Sequence, residues 1–267
     1  MKLMYEPEFR CQKNGVPILS HKEIEEDAEN FIKDFDADIL KHPRAVDIEK
    51  FTEFYLGLTP EYNNLSHCGL ILGRMVFNDT DRIPIYDAES RRAEYISASR
   101  GTVIIDNTIV EDEHRLRSTM GHEAGHWIYQ QSYFYTDPHQ ITLFDMLDKM
   151  GTACRKSDIE GGDGAKKTLS TDHDWLEHQA KYFSAAILMP REAMGVVCGD
   201  ENMRRNLTAE APGFEEIFLA NHVAEVFNVS VESARIRIKQ LKYDFQPVMH
   251  NNPSIFTMGY PERVFSL

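Results

Sequence analysis

The sequence has only four cysteines in 267 residues, at positions 11, 68, 154 and 198, and no two of them form a Cys-x-x-Cys pair. That spacing excludes a zinc ribbon and a dense disulfide scaffold, and leaves free thiols as the expectation. No apolar run approaches the roughly 18 residues of a membrane-spanning helix. The leading stretch MKLMYEPEFRCQKNG carries Glu6, Glu8 and Arg10 where a secretory signal needs an apolar block. The expectation is a cytoplasmic protein with no membrane partner. Gly/Ser, Pro and Gln/Asn tracts are also missing, so no long disordered region is expected. Basic residues are scarce: 29 Lys and Arg stand against 43 Asp and Glu, for a formal net charge of −14. Non-specific attachment to phosphate backbones relies on Lys and Arg displacing counterions, so nucleic acid is not the obvious partner.

What is present is enough apolar residue, 42%, to bury one sizeable core, or one main domain with a small appendage. Ser20 stands three before Glu23, a capping-box spacing, and Ile24, Ala28, Phe31 and Phe35 then recur along one face of an amphipathic helix. A second short helix is predicted at DIEKFTEFYLG, stopped by Gly57. The segments LILGRMVF, RIPIYD, AEYISA and GTVIID are short, rich in β-branched and aromatic residues, and separated by turn formers, which predicts a small sheet. A helix follows from about 111 to 131. Residues 132–171, which include DIEGGDGAKK, read as a long inserted loop or lid with one helix at ITLFDMLDKM. An apolar helix over 174–189 stops at Pro190, and further helices are predicted over 191–205, 214–227 and 230–242. The fold class read from this pattern is α+β, mostly helical, with a small mixed or antiparallel sheet beside the 111–131 helix.

That helix carries MGHEAGHWIY. Residues four apart on an α-helix project from one face, so His122 and His126 can hold a single ion, and Glu123 stands beside them where it can act on water. At this chain's histidine and glutamate frequencies the pentapeptide is expected by chance about 0.04 times. Its setting adds weight: a strand leads in, and Gly121 and Gly125 would let a second helix approach. A catalytic zinc takes three protein ligands and keeps one open position. The third donor is sought in TDHDWLEHQAKYFSAAILMP, where Glu177 is the leading candidate, with Asp172, His173, Asp174 and His178 as rivals. Tyr129, Tyr182 and His222 are candidates for stabilising an oxyanion.

TMGHEAGHWIY together with DWLEHQAKYFSAAILMP resembles the paired signature of the ImmA/IrrE family of zinc metallo-endopeptidases. Its first helix has His-Glu-x-x-His, and its second has a Glu before an Ala-x-x-Phe-Ala-x-x-Leu-Leu-Met-Pro-like run. GTVIID and AEVFNVSVESARIRIKQLKY resemble the family too, so the likeness spans roughly residues 45–243. It implies a gluzincin, a zincin-like metallopeptidase domain over 1–206, with His122, His126 and Glu177 as Zn2+ ligands and Glu123 as general base. It also implies site-specific cleavage of a regulatory protein such as a transcriptional repressor. Two departures stand out: fifty residues separate His126 from Glu177, and Lys181 follows Ala180 where Asn or Asp is common in the family.

The region 207–247 looks like a helix-turn-helix, with a break at Asn228 to Ser230 and Arg235, Arg237, Lys239 and Lys242 on its second helix. Either these cations meet DNA, or Ile236, Ile238 and Leu241 pack the pair on the core. The competing expectation is therefore a regulatory protein that binds DNA or a repressor, with a closed, structural zinc site and no protease activity. Residues 248–267 form a C-terminal tail of unassigned role.

Overall fold

The computed structural model describes residues 5–134, 152–156, 169–210 and 213–243. The helix expected at ITLFDMLDKM and the tail 248–267 lie outside these. The architecture is α+β.

A short hairpin, β1 (Arg10–Cys11) and β2 (Pro17–Ile18), leads into α1 (His21–Asp36). The capping box expected from Ser20 and Glu23 is present: Ser20 Oγ accepts from the Glu23 N–H, and Glu23 accepts from the Ser20 N–H. The α1 face made by Ile24, Ala28, Phe31 and Ile32 is buried in the main core. After α2 (Asp38–Lys41), α3 (Ile48–Lys50) is capped by Asp47 and widens directly into a π-helical turn over Phe51–Tyr55. The short helix expected here is thus real but not uniform. Gly57 follows, in the left-handed region at φ +68°.

Six strands form two sheets. β3 (Thr59–Asn63), β4 (Ile71–Met75), β7 (Thr102–Asp106) and β8 (Cys154–Arg155) make a mixed sheet in the order β3-β7-β4-β8, with β3 parallel to β7 and the other pairs antiparallel. β5 (Thr80–Asp87) and β6 (Arg92–Ala98) form a separate hairpin. The four strand-like segments of the sequence therefore do not share one sheet. β7 is buried at all five residues and can only be central. β6 is mostly exposed, and the hairpin joins a small second core chiefly through Ile83 and Ala98. β3 reads TPEYN, with too little apolar character to predict, and it occupies an edge where Pro60 costs no ladder bond.

α4 (Glu113–Phe134) lies against β4 and β7 on one side and against α5 (Asp172–Leu188) on the other. α5 begins with its own capping box, Thr171 with Asp174, and ends before Pro190. Gly121 and Gly125 permit the close approach of α4 and α5: a Cβ at 125 would sit 3.0 Å from Ala180 Cα, and one at 121 would sit 2.8 Å from Ser184 Oγ. The helix expected over 191–205 is two, α6 (Arg191–Cys198) and α7 (Glu201–Glu210), because Asp200 accepts from the N–H groups of Asn202 and Met203 and starts a new helix.

α8 (Glu215–Phe227) and α9 (Val231–Leu241) join through Asn228 in the left-handed region, φ 50°. The pair is anchored on the rest of the chain. Arg117 of α4 donates to the carbonyls of Asn228 and Phe227 at 2.9 and 3.3 Å, and Arg237 of α9 is buried in a bidentate pair with Glu25 of α1 at 2.6 and 2.7 Å. One of the four cations singled out for DNA contact is therefore spent in the interior. Among the described residues, no helix is long and apolar enough to cross a membrane.

Candidate metal centre

The centre is assembled from α4 and α5. His122 and His126 lie one turn apart on α4, and both are buried. Their Nε2 atoms are 2.9 Å apart. Glu177, in the second turn of α5, completes the group: its Oε2 is 3.1 Å from His122 Nε2 and its Oε1 is 3.5 Å from His126 Nε2. With bonds of about 2.0–2.1 Å, tetrahedral zinc holds N and O donors about 3.3 Å from one another. Separations of 2.9, 3.1 and 3.5 Å, the last two to different oxygens of Glu177, lie near that value, so the three residues could hold such an ion.

Of the sequence-level rivals to Glu177, none takes its place. Asp174 caps its own helix, Asp172 accepts from Asn14 Nδ2 at 2.7 Å, and His178 faces His21 with nitrogens 2.8 Å apart. His173 is exposed and lies 3.8 Å from Glu177 Oε1, at the edge of the group. The candidates for oxyanion stabilisation are engaged elsewhere. Tyr129 donates to Asp27 at 3.0 Å, Tyr182 donates to Glu25 at 2.8 Å, and His222 is exposed on α8.

Gln130 was not singled out in the sequence and proves to orient the site. Its Nε2 donates to the Leu176 carbonyl at 2.8 Å, which fixes the amide so that Oε1 faces His126 Nδ1 at 2.6 Å. The proton of His126 is thereby held on Nδ1, and the Nε2 lone pair is directed at the centre. Burial pushes the His126 pKa down to about 4, with the Glu177 charge opposing, so the ring is neutral at neutral pH. The signal was available: Gln130 follows His126 by one helical turn and must share its face.

Glu123 is fully buried beside the group. Thr152 Oγ donates to Glu123 Oε2 at 3.1 Å and accepts from the Met75 N–H at 3.3 Å, tying the carboxylate to β4. Arg74 of β4 is close enough to interact with it electrostatically. Cys154, from the segment read as an inserted loop, also reaches this region. A His122 nitrogen, a Glu123 oxygen and Cys154 Sγ all lie within 4.8 Å of one another, as do the donor atoms of His122, His126 and Glu177. Nothing local marks Cys154 or Thr152 in the sequence, because their position depends on pairing β8 to a strand some eighty residues earlier.

No protein-family model matches the chain. No curated protein matches it either.

Proposed function

We propose that the protein is a zinc-dependent endopeptidase of the ImmA/IrrE type, with His122, His126 and Glu177 as the metal ligands and Glu123 as the general base. The observation that carries this reading is the convergence of two buried histidines and a buried carboxylate, with fifty residues between His126 and Glu177 in sequence, into a group sized for one ion. A surface helix that merely happened to carry two imidazoles would have no reason to bury them against a carboxylate, since burying polar groups is costly unless they are paired or coordinated. The asymmetry of the site supports catalysis as well. One carboxylate, Glu177, belongs to the ligand group, while Glu123 is held separately by Thr152.

When bound, zinc supplies a Lewis acid that acidifies water and polarises a carbonyl. The chain's own residues do the rest. Gln130 keeps His126 in the ligating tautomer. Glu123 accepts a proton from the attacking water at its carboxylate and delivers it to the departing amine, with Thr152 fixing the orientation of that carboxylate. The close packing of α4 on α5 keeps the ligand side chains buried. The resemblance points to a regulatory protein, such as a transcriptional repressor, as the substrate.

The experiment is Glu123→Gln, assayed for metal content and for peptide-bond cleavage of a denatured protein or peptide library. Near one zinc per chain in both proteins, with cleavage in the wild type alone, is the expected outcome. A variant that still cuts removes Glu123 from the mechanism. A wild type that binds zinc without cutting any peptide favours the competing reading, a regulatory protein with a structural zinc.

A further inference from the structure

A second pair of imidazoles meets on another flank of α5. His21 opens α1 and His178 sits on α5, and their Nε2 atoms face each other at 2.8 Å. Residues adjacent on a helix project about 100° apart, so His178 points away from the group that Glu177 completes. The His21 ring stacks on Tyr182, with centroids 4.0 Å apart and planes 9° from parallel. Tyr182 is fixed in turn by donating to Glu25, which Arg237 grips through both oxygens. The two rings therefore come from separate elements, and their approach is set by the packing of α1 on α5. Burial holds the His21 pKa below its ordinary value, with the Glu25 charge opposing, so the ring keeps a lone pair at neutral pH.

We propose that His21 and His178 form a second metal site, which takes a divalent transition cation of the nickel(II) or copper(II) class through the two Nε2 atoms and bridges α1 to α5. The spacing fits: with metal–nitrogen bonds of about 2.0 Å, two donors at a right angle lie about 2.8 Å apart, the separation seen here. The donor set names the class. Imidazole suits late first-row cations, whereas magnesium and calcium want carboxylate and carbonyl oxygens. Among the described residues no third His, Cys, Asp or Glu joins the pair, so water completes the shell and the site stays open to solvent. Without a cation, one Nε2–H donates to the other Nε2. Uptake moves that proton to Nδ1 of the same ring, so both Nε2 lone pairs face the ion and no net proton is released. This site is independent of the peptidase reading.

The test is calorimetric titration of nickel(II) into the full-length, zinc-loaded protein, with zinc content measured before and after, alongside His21→Phe, which keeps a ring against Tyr182 and removes the donor. Nickel is the better probe because cupric ion oxidises thiols, and Cys11 and Cys68 are exposed. The expected result is nickel bound on top of retained zinc in the wild type, with affinity about tenfold weaker or worse in His21→Phe. Nickel should also raise the urea midpoint of the wild type alone, since an ion that binds only the folded chain stabilises it. Equal affinities and equal midpoints for the two proteins overturn the proposal and leave the rings joined by a hydrogen bond only. Nickel taken up solely in exchange for zinc overturns it too. A protein that holds no zinc, yet binds nickel as wild type and not as His21→Phe, keeps this proposal and loses the peptidase reading.

Discussion

At His126 the deciding partner is Gln130. With its amide pinned by the Leu176 carbonyl and its oxygen 2.6 Å from His126 Nδ1, Gln130 fixes which ring nitrogen can ligate. Residues in this position typically contribute about 10–100-fold to metal affinity. Gln130→Leu keeps the size and loses the acceptor, so zinc affinity measured against a competing chelator should fall by roughly that factor; equal affinity would show that the His126 tautomer is set otherwise. Residue-scale burial has a consequence at high pH too. Tyr129 is buried against Asp27 and held well above the usual tyrosine value, chiefly by desolvation, and Tyr182 is pushed up to about 12 for the same reason. The fold therefore favours both neutral phenols. That stabilisation is complete below the unfolded value of about 10 and is lost as pH rises towards the folded one. Followed by tyrosinate absorbance and circular dichroism together, both should stay neutral until near pH 12 or unfolding, as should Tyr5 and Tyr55, whose phenols burial also pushes up. Ionisation of all eleven tyrosines near pH 10 in a folded protein would contradict this.

At the scale of elements, the ligand set depends on how closely α4 and α5 approach, because two donors ride on one helix and the third on the other. Gly125 sets that distance. A methyl there would lie 3.0 Å from Ala180 Cα and 3.1 Å from its carbonyl oxygen, so the backbone of α5 has to shift to admit it. Gly125→Ala should cost about 1–3 kcal/mol by overpacking and weaken zinc binding, because Glu177 moves with α5. Gly195→Ala on α6 is the control, since its new methyl meets only the Tyr243 hydroxyl, at the far end of a side chain. Equal urea midpoints for the two variants would refute the argument. The same elements show where sequence reading worked and where it stopped. Helical periodicity, the Ser20 and Glu23 spacing and Pro190 delimit α1, α4 and α5 closely, because those signals are local. The pentapeptide gave His122, Glu123 and His126, and a second-helix carboxylate gave Glu177. Strand partnership was not legible. Nothing in LILGRMVF tells β4 to pair with CR at 154–155, or RIPIYD to leave the sheet, because register is a contest among distant segments. The place of Cys154 beside Glu123 was hidden for the same reason, while the expectation of four free thiols holds.

On the scale of the whole molecule, the C-terminal helix pair is joined to the helix that carries the candidate ligand Glu177 through one buried ionic group. Arg237 of α9 is fully buried, donates to both oxygens of Glu25 on α1 and, through Nε, to the Met189 carbonyl just past α5. Tyr182 of α5 donates to the same carboxylate. Three helices thus meet at a charge pair without solvent, and removing one member leaves the other buried and unpaired. The cost of that is about 3–5 kcal/mol, whereas replacing both by apolar residues of similar volume is often near neutral. Arg237→Met should therefore lower the urea midpoint steeply, and Glu25→Leu with Arg237→Met should recover most of the loss. Because the pair ties α9 to the helix that carries Glu177, unfolding should remain one transition in the wild type, with zinc release and loss of helical signal coincident. If Arg237→Met instead unfolds α8 and α9 first, with zinc retained until a second transition, the C-terminal pair is an independent unit and the ion pair only a fastening between two bodies. If the midpoint does not move, the buried contact contributes nothing net and α9 is held by apolar contacts such as those of Ala234, Ile238 and Leu241.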